Sequence, residues 1–177
     1  MPHHSNSHPR RLLKATLLWA AAAVLPAWAG TVEEPPRPSI HVDIPVSLRQ
    51  AKVVFNLDHL AFAGDMPVGM KYMGLLANRL KELKAEGDIV GVFHGDAAYL
   101  TLNDRAYNAY RQVATGNPYK EVLADLQRRG VHIEECAVSM KAHGWTNADL
   151  LPGVKVNAGA VGRIIQLVQE GYVQIQP

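Results

Sequence analysis

From residue 51 onward, nearly continuous apolar runs alternate with stretches of helical period, and this alternation limits the folds open to the chain. Lys52-Val53-Val54-Phe55-Asn56-Leu57 and Ile89-Val90-Gly91-Val92-Phe93-His94 read as buried strands. Between them Tyr72, Met73, Leu76, Leu80 and Leu83 form an apolar stripe, with Asp65-Met66-Pro67 as the expected helix start and Gly87 as its stop. Asn103-Asp104 opens a helix bearing Tyr107, Tyr110 and Val113. Asn117-Pro118 opens another, with Val122, Leu123 and Leu126 inward and Gly130 as its end. Gly130 to Cys136 is strand, Val154-Lys155-Val156 a short strand, and Ala160 to Glu170 a helix carrying Ile164, Ile165, Leu167 and Val168. Tyr172 to Ile175 is the last strand. Strands without polar alternation, joined through amphipathic helices, predict a three-layer α/β fold. Its mostly parallel sheet has about five strands and helices on both faces.

The first 29 residues read as an export signal. Arg10, Arg11 and Lys14 make a positive start, Leu12-Leu13 and Ala15 to Leu25 an apolar stretch, and Ala27-Trp28-Ala29 an A-x-A cleavage site before Gly30. The apolar run is short against the ~20 residues that span a bilayer, which disfavours the alternative of a retained anchor. The paired arginines suggest twin-arginine export, but Leu12-Leu13-Lys14 fits that pattern poorly, so ordinary secretion into the periplasm is expected. Residues 30–50, with Glu33-Glu34-Pro35-Pro36-Arg37-Pro38, are proline-rich and extended in character. Ile40 to Val46 is expected to pack along the domain edge, with Pro45 barring it from a central strand.

The charge balance excludes one class of partner. The chain has 18 Lys and Arg against 16 Asp and Glu; three of the basic residues and none of the acidic ones lie within residues 1–29. The remainder has 15 against 16, a formal charge of −1, with no basic cluster of the kind nucleic-acid surfaces need. No G-x-G-x-x-G or G-x-x-x-x-G-K-[ST] loop is present, so no cofactor is called for.

Cys136 is the single cysteine. In an oxidising compartment it cannot form an internal disulfide, which leaves it for an intermolecular bridge, a metal or sulfur chemistry. It ends a strand that runs straight into a short helix, where the helix dipole and unpaired N–H groups favour thiolate. Ligands of parallel sheets gather at the C-terminal strand ends, where His94-Gly95-Asp96 and Glu135-Cys136 both fall. Cys136 and His94 are therefore the candidate catalytic residues. The alternatives are a buried cysteine acting as a small apolar side chain and a core-edge histidine bonded to backbone. Strand alternation puts His132 and Glu134 on the face of Cys136 and Glu135 on the other. Both carboxylates are expected to oppose thiolate formation.

The order of elements, the Val92-Phe93-His94-Gly95-Asp96-Ala97 segment and the Gly130-Val131…Cys136 junction resemble the DsrE/DsrF-like family. So do the tail Leu151-Pro152-Gly153-Val154-Lys155-Val156, then Gly159-Ala160-Val161-Gly162-Arg163 and Glu170-Gly171-Tyr172. The resemblance covers the α/β domain (51–177), which follows the signal peptide (1–29) and the proline-rich segment (30–50). It implies a flavodoxin-like or YchN-like fold, assembly into trimers or hexamers, and relay of sulfur as a persulfide on the cysteine that Cys136 matches. Partners would then be sulfur donor and acceptor proteins or small sulfur compounds, with no membrane contact after signal cleavage. Family members of known role act in the cytoplasm in sulfur oxidation or tRNA thiolation, so an export signal sets this chain apart. Two other classes stand beside that reading. Cys136, Met140 and His143, four and seven residues apart along a helix, form a soft donor set suited to copper. A non-catalytic oligomeric binding module would simply bury Cys136.

Overall fold

The computed structural model describes residues 39–177; the expected signal peptide and most of the proline-rich segment lie outside the described residues. Asp43 to Pro177 forms one compact unit. Its elements are β1 (Gln50–Leu57), β2 (Phe62–Ala63), β3 (Met66–Pro67), α1 (Val68–Leu83), β4 (Glu86–Phe93), α2 (Asp104–Arg111) and α3 (Lys120–Arg128). They continue with β5 (Val131–Cys136), α4 (Ala137–His143), β6 (Lys155–Asn157), α5 (Ala160–Gln169) and β7 (Val173–Ile175). A 3₁₀ segment, Gly95–Thr101, follows β4 directly.

The main sheet has the order β6-β5-β4-β1-β7, and every neighbouring pair in it is parallel. Strand alternation splits the core. Val53, Phe55, Leu57, Ile89, Phe93, Val131 and Ile133 face a larger apolar cluster covered by α1, α2 and α3. Val54, Val90, Val92 and Cys136 face a smaller one covered by Ala160, Ile164 and Leu167 of α5. Each fully buried Leu, Ile or Phe contributes about 1.5–3 kcal/mol, so the larger cluster supplies most of the packing energy. The expected α/β architecture is the observed one.

Local expectations fail where tertiary packing decides. Asp65 does not cap α1: Phe62–Pro67 forms a small antiparallel hairpin turning at Gly64 (φ 66°), and Pro67 is the cap residue. Gly87 does not stop α1 either. The helix ends at Leu83, with Lys84 in the left-handed region (φ 51°), and Gly87 lies inside β4. A Cβ at Gly87 would fall 2.3 Å from Leu80 Cδ1, so glycine there admits a core leucine. The buried stripe of α1 is Met70, Met73 and Leu80, while Tyr72 is exposed. On α5, Ile164 and Leu167 point inward, whereas Ile165 and Val168 face outward. Tyr110 and Val113 are likewise exposed, as are the side chains of Ile44 and Val46, although the Val46 carbonyl accepts from Arg79 Nη2 of α1 at 3.3 Å. No helix among the described residues is long and apolar enough to cross a membrane.

Candidate active site at the Cys136 junction

Cys136 is the last residue of β5 and the N-cap of α4, with extended backbone (φ −80°, ψ 118°). The residue is 4% exposed. It lines a pocket of about 300 Å³ together with His94, Gly95, Ser139, Gly159 and Ala160, edged by Val138 and Val161. β4 and β5 are adjacent in the sheet, so their C-terminal ends bring His94 and Cys136 to one pocket, as parallel topology requires. A larger cleft of about 600 Å³ lies toward the opposite ends of these strands, beside Leu80, Gly87 and Gly130. It is lined by no cysteine, histidine or acid.

Burial alone pushes the Cys136 thiol up. The backbone N–H groups of Ser139, Ala160 and Val138 and the Ser139 hydroxyl outweigh it and hold the thiol below its ordinary value. Ala160 N–H donates to Sγ at 3.3 Å from the start of α5. The N–H groups at the head of α4 act through their field rather than through a cap bond. Ser139 links the two sides of the pocket, because its Oγ accepts the Gly95 N–H at 3.1 Å while its proton is free for the sulfur. The thiol is thus served by two helix starts, of which only α4 adjoins it in sequence.

The two neighbouring glutamates do not oppose the thiolate as expected. Glu134 shares the face of Cys136, but Arg163 of α5 grips its carboxylate through Nε (3.0 and 3.1 Å) and Nη2 (2.8 Å). Asn157 Nδ2 donates to it as well, at 3.2 Å. Glu135 points into the larger core, fully buried. Its Oε1 accepts the Cys136 N–H at 3.0 Å, and its Oε2 lies 2.8 Å from Thr101 Oγ1. Burial pushes the Glu135 carboxyl up to about 8, although the bonds from Thr101 and Cys136 N–H pull the other way. Neither residue presents a bare negative charge to the sulfur at neutral pH.

His94 is part-buried, and its ring is held by a side chain rather than by backbone. Its Nε2 lies 2.7 Å from Asn56 Oδ1. Asn56 Nδ2 donates to Gln176 Oε1 and Gln176 Nε2 to Asp58 Oδ1, each at 2.7 Å. With Asn56 Oδ1 turned to the ring, His94 donates from Nε2 and keeps Nδ1 as an acceptor. Burial lowers the His94 ring below its ordinary value, with partial compensation from Asp58, so neutral imidazole is favoured.

The copper set does not assemble. Cys136 sits in the smaller apolar cluster, Met140 is buried in the larger one across the sheet, and His143 stacks on Trp145 with a centroid separation of 4.4 Å. The N-cap residue is off the helical path, so the four- and seven-residue spacing does not put its side chain on their face. Among the described residues no group of three or more His, Cys, Asp and Glu could hold a metal ion.

Ser139, Arg163, Thr101 and Asn56 were not singled out by the sequence. Ser139 had a local signal, three residues past a helix cap, and Arg163 lay in the Gly159–Arg163 stretch that carries the family resemblance.

Residues 56–177 match the sequence model of the DsrE/DsrF-like family. Among solved structures, a protein of unknown function, MTH1491 from Methanobacterium thermoautotrophicum, superimposes with a TM-score of 0.56 at 23% identity. The match covers 72% of this chain and 99% of that one. The ychN protein from E. coli superimposes with a TM-score of 0.50 at 14% identity, with the same two coverages. At these identities the likeness is one of fold. No curated protein matches the chain.

Proposed function

The chain belongs to the DsrE/DsrF-like family, and from that premise we propose that it is an exported sulfur-relay protein carrying sulfur as a persulfide on Cys136. The observation that carries this reading is the thiol at the strand–helix junction, held below its ordinary pKa by Ser139, Ala160 and Val138 and opening on a pocket. The Cys136 thiolate attacks the sulfane sulfur of a donor. One S–S bond forms, the donor's own S–S bond breaks, and the donor leaves as a thiolate, so no external oxidant is required. Handing the terminal sulfur to an acceptor thiolate reverses the exchange. With no second cysteine in the chain, the persulfide cannot collapse into an internal disulfide.

Two further parts of the reading rest on other features. The n-region, apolar stretch and A-x-A site of residues 1–29 support secretion with cleavage before Gly30. Val161, Ile165 and Val168 leave the outer side of α5 apolar and exposed while its inner side packs the core. A helix apolar on both sides is ordinarily covered on both, which supports self-association through α5 into a trimer or hexamer.

Incubating the purified protein with polysulfide should add about one sulfur mass, roughly 32 Da, to the chain through the thiolate. Cys136→Ser should fold normally, because serine is nearly isosteric, and should take up none. Equal uptake by both proteins, or no uptake under conditions that load a control thiol, refutes persulfide carriage.

A further inference from the structure

Among the described residues, Glu135 is a fully buried carboxyl with no cation paired to it. The residue is 0% exposed, and the guanidinium of the site, Arg163, is committed to Glu134 on the opposite face of β5. Its register partners are Phe93 in β4 and Val156 in β6, both apolar. Among the described residues the one titratable group acting on it is Cys136. A buried carboxylate without a counter-charge is strongly disfavoured, whereas a protonated carboxyl is tolerated if its hydrogen bonds are met.

The hydrogen bonds around Glu135 accommodate the neutral form, and burial without a counter-charge selects it. Thr101 Oγ1 lies 3.0 Å from the Ala98 carbonyl and 2.8 Å from Glu135 Oε2. A hydroxyl has one hydrogen, and a carbonyl can only accept. When Thr101 donates to Ala98, the contact with Glu135 is a bond only if Oε2 brings a hydrogen of its own. A protonated Glu135 then satisfies every atom: Oε2–H donates to Thr101, Thr101 donates to Ala98, and Oε1 accepts the Cys136 N–H at 3.0 Å. An ionised Glu135 could accept from Thr101 Oγ1 and from Cys136 N–H, the Ala98 carbonyl being served within the 3₁₀ segment, but it would stand as a fully buried and uncompensated charge.

We propose that Glu135 is a positioning residue that works as a neutral carboxylic acid, joining the Cys136 backbone to Thr101 and leaving the thiol as the only group of the pair that carries negative charge. The bond to Cys136 N–H fixes the turn from β5 into α4. The bond to Thr101 ties that turn to the 3₁₀ segment following His94, so both walls of the pocket are referred to one side chain. The inference rests on Cys136 as a thiolate site but not on sulfur as its cargo.

Infrared spectroscopy of the full chain tests it directly. At about pH 6.5, where ordinary carboxyls are ionised, wild type should show a protonated-carboxyl C=O band that Glu135→Gln lacks. The band should bleach as pH rises through about 8. Stability should follow the same proton. The folded-state value lies above the ordinary 4.5, so this contribution is complete below that pH and is lost as pH rises toward about 8. Glu135→Gln, whose amide can donate to Thr101 and accept from Cys136 N–H, should remove that slope. It should also keep neutral-pH alkylation of Cys136 by iodoacetamide within about twofold of wild type.

Absence of the band, an unchanged slope in Glu135→Gln, or a folded Glu135→Gln slowed more than about tenfold overturns the proposal. Should that variant not fold, presence or absence of the wild-type band decides alone. Failure to load sulfur with the band present refutes the relay reading and leaves this inference standing.

Discussion

Arg163 and Glu134 form a bidentate ion pair beside the thiol, with Nη2 to Oε1 at 2.8 Å and Nε reaching both carboxylate oxygens. The carboxylate lies two residues before Cys136 on the same strand face, so the pair removes the negative charge best placed to raise the thiol pKa. The pair also joins α5, which supplies the Ala160 N–H, to β5, which supplies the sulfur.

Arg163→Met should therefore act on reactivity and stability together. Glu134 would keep only Asn157 as a side-chain partner; loss of one member of a buried pair costs about 3–5 kcal/mol, and the partial exposure of Arg163 puts this pair at or below the lower end. The Cys136 thiol pKa should rise, slowing alkylation at neutral pH. Adding Glu134→Gln should restore the reactivity, because the charge responsible is then gone. Reactivity unchanged in Arg163→Met would show that the pair is only structural.

His94 and Glu135 should tilt the stability profile in opposite directions. Burial lowers the His94 ring below 6.5, so its contribution is complete above that pH and is lost as pH falls through the lower folded value. Denaturant unfolding on the acid side should show wild type losing stability that His94→Gln retains. Loading of Cys136 should be slower in His94→Ala but not abolished, as expected for a residue that assists the thiol. Identical acid limbs for wild type and His94→Gln would contradict a depressed His94.

Gly95 joins backbone geometry to the site. Its φ is 54°, in the left-handed region, and a Cβ there would meet the Asp58 carbonyl oxygen at 2.7 Å, a backbone atom that cannot swing aside. Gly95→Ala should cost about 1–3 kcal/mol or more, read as a fall in Tm. It should also disturb the Gly95 N–H bond to Ser139, and with it the donor to Cys136. An alanine variant as stable and as reactive as wild type would remove Gly95 from the account.

The sequence by itself determined whatever depends on near neighbours. Apolar runs made strands of 50–57 and 86–93, and the Cys136 boundary between strand and helix followed from Val131 to Met140 alone. Two-residue alternation correctly separated Glu134 from Glu135. Parallel topology correctly sent His94 and Cys136 to one end of the sheet. Tertiary structure decided the rest, because those partners are distant in the chain. Arg163 is 29 residues from Glu134, Ala160 is 24 from Cys136, and Thr101 is 34 from Glu135. Helical spacing suggested that Met140 and His143 share a face with Cys136, but the cap residue leaves the helical path and Met140 fills the opposite core. Two carboxylates that read as obstacles to a thiolate became harmless by different means. One met a guanidinium brought across by α5. The other was taken so far from water that it keeps its proton, since a low-dielectric interior penalises the charged form of an acid that no cation reaches.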